Sequence, residues 1–290
     1  MSGAAVQTWT IGSLLKWTED FLRSKTIESP RLDAQVLLAH VLGCTRSELY
    51  VRFQETPAED AKAKFRELIR RRVEGTPVSY LVGQKEFFLL KFEVTPEVLV
   101  PRPATETLVL AALDALKGVA EPRVLDVGTG SGCIAISLAT RMKSAKFVSI
   151  DISSVALDVA QRNAKRHGVE KQIDFRAGDL FGPLRPGEHF DVIVSNPPYV
   201  PTGDLPSLPP EVRDREPRLA LDGGESGFAV IDRLIAGAGE WLKPAGKLIF
   251  EFGAGQSEQV ISKLIESRFV PGRPILDSEN IARVVVAHKA

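Results

Sequence analysis

The sequence has few cysteines and no net charge. Its 290 residues include two cysteines, Cys44 and Cys133, and basic and acidic residues in equal number, 37 of each. Two cysteines exclude a disulfide framework and fit a reducing compartment. Zero net charge argues against a nucleic-acid-binding protein, which usually carries a basic excess. The four histidines are scattered without metal-ligand spacing, so we expect no metal site.

Long apolar runs are also missing. No stretch approaches the roughly 18 residues that a membrane-spanning helix needs, and the N-terminus lacks a signal-peptide pattern. A hydrophobic content of 44% is ordinary for a globular protein. We therefore expect a soluble cytoplasmic protein without a membrane partner, long enough for two domains.

Residues 1–76 are predicted to form a small helical domain. Ser29-Pro30 opens one helix, in which Leu32, Val36, Leu37 and Val41 are expected to face inward. Residues 45–48 (Thr-Arg-Ser-Glu) and 56–59 (Thr-Pro-Ala-Glu) match the capping box, so each predicts a helix start. Because the domain contains no cluster of catalytic residue types, we predict that it recognises the substrate.

The last helix of this domain carries a row of basic side chains. They are Lys62, Lys64, Arg66, Arg70, Arg71 and Arg72. Two interpretations stay open at this point: a solvated face balanced by acidic neighbours, or a docking surface for an acidic partner or RNA.

Residues 77–101 no longer show the helical spacing of the preceding domain. Phe87, Phe88, Phe92 and Val94 stand among polar residues in a stretch with β propensity. We predict a β-hairpin linker over 77–101, followed by a catalytic domain over 102–290.

A nucleotide-binding arrangement opens the predicted catalytic domain. The apolar strand at residues 123–127 is followed at once by Gly128-Thr-Gly-Ser-Gly132 and an apolar helix. Glycines let a ligand approach the backbone, and the helix N-terminus offers free N–H groups. The next strand ends in Asp151, whose carboxylate can accept hydrogen bonds from both hydroxyls of a ribose.

Alternating strands and helices continue beyond this point. The strand at residues 172–176 leads into the turn that holds Asp179, and the strand at 190–195 ends before Asn196. Successive strands separated by helices predict a doubly wound sheet, in which ligands bind at the carboxyl ends of the strands. A final strand at residues 282–287 is predicted to form an antiparallel edge.

Asn196-Pro-Pro-Tyr199 follows a buried strand directly. Two prolines cannot donate sheet hydrogen bonds, so the strand must stop there. The Asn196 side-chain oxygen and the Pro197 carbonyl can each accept one N–H of a planar nitrogen, and the Tyr199 ring offers a flat apolar face. The motif therefore indicates a site for a planar –NH2 group.

Residues 124–132 and 196–199 resemble the cofactor loop and the amide-binding motif of S-adenosylmethionine-dependent class I methyltransferases. Among these, the chain resembles the peptide chain release factor glutamine-N5 methyltransferase family. Further matching segments are Arg31-Leu-Asp-Ala34, Tyr80-x-x-Gly83-x-x-Glu86-Phe87, Val100-Pro-Arg-Pro103 with Thr105-Glu106, and Glu211-Val-Arg213 through Glu216-Pro217 to Ala220-Leu-Asp-Gly-Gly224. One departure is Ala104, where the family usually has an acidic residue.

The resemblance implies an α/β fold: a Rossmann-like, doubly wound class I methyltransferase with an antiparallel last strand, preceded by a helical bundle and a β-hairpin linker. It implies S-adenosyl-L-methionine as cofactor and N5-methylation of the glutamine in the Gly-Gly-Gln motif of class I release factors, in translation termination. The bundle would help to hold the release factor. We expect a monomer that binds no nucleic acid directly.

The candidate site residues fall into two groups. The cofactor-binding candidates are Asp126, Gly128, Thr129, Gly130, Ser131, Gly132, Asp151, Asp179, Leu180 and Asn196. The substrate-binding candidates are Asn196, Pro197, Pro198 and Tyr199, and of these Asn196, Pro197 and Tyr199 are predicted to be catalytic. No general base is visible near the motif.

Three alternatives remain at this stage. The first is a glutamine methyltransferase that acts on a ribosomal protein, which sequence motifs distinguish only weakly from one that acts on a release factor. A DNA adenine-N6 methyltransferase would need a target-recognition domain and a basic cleft, against which the zero net charge argues. A non-catalytic nucleotide-binding or RNA-docking module is disfavoured by the intact Asn-Pro-Pro-Tyr motif.

Overall fold

The computed structural model describes residues 9–289, which divide into two compact units. The helical unit comprises the described residues up to Gly83 together with Pro210–Arg215, and the α/β unit comprises Gln84–Pro209 and the residues from Glu216 onward. The domain limits 1–76, 77–101 and 102–290 stay predictions. The prediction that the N-terminus lacks a signal peptide falls partly on residues 1–8, which lie outside the described residues.

Helices and strands follow one another in the order expected of an α/β protein behind a helical bundle. The helices are α1 (Ile11–Ser24), α2 (Pro30–Leu42), α3 (Arg46–Val51), α4 (Glu59–Val73), α5 (Val78–Val82), α6 (Pro103–Ala115), α7 (Cys133–Ala139), α8 (Ser154–Arg166), α9 (Pro210–Arg213), α10 (Ala229–Trp241) and α11 (Ser257–Glu266). The strands are β1 (Gln84–Phe87), β2 (Leu90–Glu93), β3 (Arg123–Val127), β4 (Lys146–Asp151), β5 (Ile173–Ala177), β6 (Phe190–Ser195), β7 (Leu242–Glu251), β8 (Phe269–Pro271), β9 (Ile275–Leu276) and β10 (Ala282–Lys289).

One of the two predicted capping boxes is present. The Thr45 hydroxyl accepts the Glu48 N–H at 3.3 Å, and the Glu48 carboxylate accepts the Thr45 N–H at 2.6 Å. The box predicted at residues 56–59 is wrong, because Ala58 takes the N-cap position of α4 and makes no side-chain cap. Glu59 is then the first helical residue, where its carboxylate is not at the third position that the motif requires.

The inward face of α2 also differs from the prediction. Leu32 is 43% exposed, whereas Leu37 is buried as predicted and Asp33 and Leu38 are buried beside it. The helix is therefore rotated so that a carboxylate points into the helical unit. The reason lies on α4, where Arg72 is buried as well.

Arg72 forms a buried ion-pair cluster within the helical unit. Its Nε lies 2.7 Å from Asp33 Oδ2, and its Nη1 pairs with the Glu211 carboxylate. Burial raises the pKa of Asp33, an effect that the Arg72 guanidinium opposes. Arg72 is thus not part of a solvated basic face, and only the remaining basic residues of α4 keep that interpretation open.

The central sheet of the α/β unit has eight strands in the order β5-β4-β3-β6-β7-β10-β8, with β9 paired to β10. Strands β3 to β7 pair in parallel, and β10 is antiparallel to β7. This confirms the doubly wound fold and the antiparallel last strand. The prediction that this strand forms the edge is wrong, because residues 269–276 fold back as β8 and β9 and pair with its outer side.

Hydrophobic cores cover both faces of this sheet. Within β3, Val124 packs into the core formed with α6, α7 and α8, whereas Leu125 packs into the core formed with α10 and α11. Successive residues of a strand point to opposite faces, so a strand buried on both sides is mostly apolar along its length. The hairpin of β1 and β2 adds Phe87 and Phe92 to the first core.

None of the helices in the part of the chain that the structure describes is both long and apolar enough to span a membrane.

Candidate active site

A cavity of about 290 Å³ lies at the carboxyl ends of β3, β4, β5 and β6, within the α/β unit. Eight of the predicted cofactor residues line it: Gly128, Thr129, Gly130, Ser131, Asp151, Asp179, Leu180 and Asn196. Pro198 of the proposed substrate motif lines it too. The carboxyl ends of adjacent parallel strands meet at one edge of a sheet, which brings together residues from four separate strand ends.

Asp151 organises the glycine-rich turn. One carboxylate oxygen accepts the Gly130 N–H at 2.8 Å, and the other accepts the Ser153 N–H at 2.9 Å. Burial raises the pKa of Asp151, and the backbone N–H groups oppose that shift. Each carboxylate oxygen can accept a further hydrogen bond, so the group retains capacity for two hydroxyls of a ligand.

Asp126 and Gly132 do not line the cavity but support the loop from behind. Asp126 is fully buried and accepts the Thr129 hydroxyl at 2.7 Å. Burial raises the pKa of Asp126 to about 7. Gly132 has φ +80°, and a Cβ there would lie 2.7 Å from the Ile136 side chain. This glycine allows the sharp entry into α7.

A hydrogen-bonded chain of side chains lies behind Asn196. Asn196 Nδ2 donates to Thr105 Oγ1 at 3.1 Å, and the Thr105 hydroxyl donates to Glu251 Oε2 at 2.7 Å. The Tyr199 hydroxyl donates to the other oxygen of Glu251 at 3.1 Å. Glu251 is 1% exposed, and its burial raises its pKa against the effect of these two hydroxyls.

Two acceptors of the motif are left without a partner. Within residues 9–289, no hydrogen bond engages Asn196 Oδ1 or the Pro197 carbonyl oxygen. Pro197 and Tyr199 do not line the cavity, and Pro197 is buried. The Tyr199 carbonyl accepts a hydrogen bond from the Gln256 side chain at 3.0 Å, which fixes the backbone at the end of the motif.

The segment before α6 supplies lining residues that the site prediction omitted. Val98, Leu99 and Arg102 line the cavity, and so does Thr105. Glu216, itself buried, accepts hydrogen bonds from Arg102 at 2.5 Å and from the Val100 N–H at 3.2 Å. A signal was present in the sequence, because this segment carries the Val-Pro-Arg-Pro match to the family.

Glu251 was missed altogether, although it stands in the apolar run Leu-Ile-Phe-Glu-Phe at residues 248–252. A carboxylate inside a buried strand needs hydrogen-bond donors or a charged partner. An acidic residue in such a run therefore indicates a polar partner nearby, but not which one.

The loop that follows the motif is closed at its two ends. The Val200 N–H donates to the Leu221 carbonyl at 3.0 Å, and the Gly223 N–H donates to the Val200 carbonyl at 2.8 Å. Leu219, Ala220 and Asp222 line the cavity. The closed ends therefore position the later part of this loop against the site.

Family models match both parts of the chain. The PrmC N-terminal domain matches residues 13–83, and the methyltransferase small domain matches residues 103–205. A release factor glutamine methyltransferase of Rhodopirellula baltica is 46% identical over 247 residues, which cover 84% of this chain and 83% of that protein. One of Geobacter sulfurreducens is 43% identical over 279 residues, 96% of each chain. The chain belongs to the release factor glutamine methyltransferase family.

Solved structures of low identity share the fold of the family. The hMettl16 catalytic domain, solved with the MAT2A 3'UTR hairpin 6, has a TM-score of 0.57 at 15% identity and covers 77% of this chain and 82% of its own. A methyltransferase from Pyrococcus furiosus has a TM-score of 0.51 at 18% identity and covers 80% of this chain and 100% of its own. These likenesses support the class I methyltransferase fold.

The cofactor of this family is S-adenosyl-L-methionine, and the cavity fits it. A Cβ built on Gly128 or Gly130 meets no atom within 4 Å, so the backbone of the loop lies open to a ligand. The buried Asp151 carboxylate retains acceptor capacity at the position where a ribose is expected. No group of three or more metal-ligating side chains occurs in the described part of the chain.

Proposed function

We propose that this chain methylates the N5 nitrogen of the glutamine in the Gly-Gly-Gln motif of class I peptide chain release factors. The observation that carries the proposal is the pair of acceptors, Asn196 Oδ1 and the Pro197 carbonyl, that no group of the described chain engages beside the cofactor cavity. A primary amide has two coplanar N–H groups, which match two such acceptors.

The cavity residues hold the cofactor in this proposal. Asp151 would accept the ribose hydroxyls, and the loop at residues 128–132, Asp179 and Leu180 would hold the rest of the cofactor. Asp126 supports the loop from the interior. S-adenosyl-L-methionine, when bound, supplies a methyl group on a positively charged sulfur.

The motif compensates for the weak nucleophilicity of an amide nitrogen, whose lone pair is delocalised into its carbonyl. Asn196 and Pro197 accept the two N–H groups, which turns the face of the nitrogen toward the cavity. Such positioning is worth about 7–11 kcal/mol in well-oriented systems. Tyr199, whose hydroxyl is held by Glu251, offers its ring to the flat amide, and Pro198 lines the approach. The bound cofactor would supply the methyl group for the new C–N bond, and the N–H proton would leave to solvent.

The helical unit has no catalytic group in this proposal and serves to hold the substrate. Gly-Gly-Gln is small, whereas a stable protein interface buries about 1,200–2,000 Å². A release factor needs further contact surface, and we assign part of it to residues 1–76. The substrate places the enzyme in the cytoplasm and in translation termination, and we propose that it acts as a monomer without binding nucleic acid directly.

Methylation with labelled cofactor tests the proposal. The chain is incubated with an intact class I release factor, with a variant of that factor in which the glutamine of Gly-Gly-Gln is alanine, and with ribosomal proteins. We expect one methyl group on the side-chain nitrogen of that glutamine, located by mass spectrometry, and no label on the variant. Label on a ribosomal protein alone would overturn the proposal in favour of the alternative substrate.

A further inference from the structure

Glu251 sets the direction of the hydrogen bonds behind the active-site motif. Its carboxylate is 1% exposed and receives two hydroxyl groups, from Thr105 at 2.7 Å and from Tyr199 at 3.1 Å. The positive charges of Arg283 and Arg102 favour the ionised form of this carboxylate, and an ionised carboxylate has no proton to donate. Both hydroxyls must therefore donate to it.

The bond from Thr105 to Glu251 also fixes the direction of the hydrogen bond between Thr105 and Asn196. A threonine hydroxyl has one proton, and here the proton is used in the bond to Glu251. Toward Asn196, at 3.1 Å, Thr105 Oγ1 is therefore an acceptor only. Asn196 must present its Nδ2 to Thr105, which leaves Oδ1 as the end of the amide that faces a ligand.

The opposite orientation of the Asn196 amide is unfavourable for the same reason. It would bring Oδ1 against the lone pairs of Thr105 Oγ1, so that two acceptors meet without a proton in a half-buried position. It would also offer N–H groups to the N–H groups of a substrate amide. A flipped Asn196 would repel the group that it is proposed to bind.

We propose that Thr105 and Glu251 are positioning residues that hold Asn196 in the orientation in which its oxygen, and not its –NH2 group, meets the substrate. The proposal rests on the proposed function of Asn196 as acceptor of the glutamine amide. It assigns a role to two residues that are 146 positions apart in the sequence and are joined only by the fold.

Three variants separate this role from general packing. Thr105→Val keeps the shape of the side chain but removes both the donor and the acceptor. Thr105→Ser restores the hydroxyl without the methyl group. Glu251→Gln keeps the shape of the carboxylate but can donate a hydrogen bond, so it no longer fixes the direction of the Thr105 hydroxyl.

Steady-state kinetics on an intact release factor give the first readout. For Thr105→Val and Glu251→Gln we expect kcat to fall at least tenfold, with the Kd for the cofactor within threefold of wild type and the variants folded by circular dichroism. Thr105→Ser should recover most of the lost kcat. Wild-type kcat in Thr105→Val, or equal losses in the valine and serine variants, would overturn the proposal.

The side-chain amide of Asn196 gives a second readout that needs no activity. In ¹⁵N-labelled protein, its Nδ2 signal is assigned by its loss in Asn196→Ala. We expect slow hydrogen exchange of this group in wild type and in Thr105→Ser, and exchange at least tenfold faster in Thr105→Val. Equal exchange in all three proteins would overturn the positioning role. If the wild-type enzyme methylates no release factor, the proposed function fails by itself and the exchange result still decides the orientation.

Discussion

Replacing Asp151 by alanine removes the side chain that holds the glycine-rich turn and that we propose to bind the cofactor. The carboxylate holds the Gly130 N–H at 2.8 Å and the Ser153 N–H at 2.9 Å, and it lines the cavity. The proposed ribose contacts use its remaining acceptor capacity. The variant therefore loses ligand contacts and, in addition, the fixed position of the loop that surrounds the ligand.

The magnitude follows from the chemistry of these contacts. A hydrogen bond to a charged group contributes about 1.5–3 kcal/mol. We expect a net loss of that size in binding free energy, because water replaces part of the lost contact in the variant. Since each 1.4 kcal/mol is about tenfold in affinity, the Kd for S-adenosyl-L-methionine should rise by roughly ten- to a hundredfold. Stability should fall by about 1–3 kcal/mol, because two partly buried N–H groups lose their acceptor.

Isothermal titration calorimetry measures the Kd, and urea unfolding measures the stability. Asp158→Ala is the matched control, because Asp158 is an exposed aspartate on the following helix, α8, and does not line the cavity. Its Kd should equal that of wild type. An unchanged Kd in a folded Asp151→Ala variant would refute the assignment of Asp151 to the ribose.

Two further predictions concern stability. Hydrogen bonds from Arg176 lower the pKa of Glu188 from 4.5 to about 2, so the stability that Glu188 contributes is complete above pH 4.5 and is lost as the pH falls toward 2. Urea unfolding across this range should show that the free energy of unfolding falls less steeply with decreasing pH in Glu188→Gln than in wild type. Identical pH dependence in the two proteins would contradict the pairing. Arg72→Met leaves the buried Asp33 carboxylate without its cation and should cost about 3–5 kcal/mol, whereas the exposed Arg71→Met should change the unfolding free energy by less than about 0.5 kcal/mol; equal values for the two variants would contradict the buried cluster.

The sheet was predictable because its strands are short apolar runs with clear ends. The strands predicted at residues 123–127 and 190–195 match β3 and β6 in both bounds. Glycines or prolines directly after an apolar run mark where pairing must stop. Strands β8 and β9, with three and two residues, are too short for an apolar or alternating pattern to show. Their pairing depends on an exposed side of β10 that only the folded sheet provides.

The candidate site was predictable to the extent that it lies at strand ends. A residue that directly follows an apolar run can be recognised from the local sequence, so Gly128, Asp151 and Asn196 were predicted individually. The topology places them in one cavity. Thr105 and Glu251 could not be predicted in this way. Thr105 lies 91 positions from Asn196, and their contact arises from packing of α6 against the sheet. No local pattern encodes such a contact.

The buried cluster around Arg72 explains why the helical unit is not one continuous stretch of sequence. A guanidinium taken out of water needs partners that satisfy its charge and its donors. Asp33 supplies one carboxylate from α2, and Glu211 supplies the second from the loop that follows the active-site motif. Residues 210–215 therefore belong to the helical unit, although they lie far beyond its predicted limit at residue 76.

This arrangement decides how the helical unit should be tested for substrate binding. Deleting residues 1–75 removes Arg72 and so leaves Glu211 without the cation with which it pairs. The deletion therefore disturbs the loop that also lines the cavity through Leu219 and Ala220. A loss of activity after deletion would not distinguish docking from damage to the site. Substitutions of exposed side chains on α4, such as Arg66→Ala, leave the cluster intact, so a higher KM for a whole release factor with unchanged cofactor affinity would report docking alone.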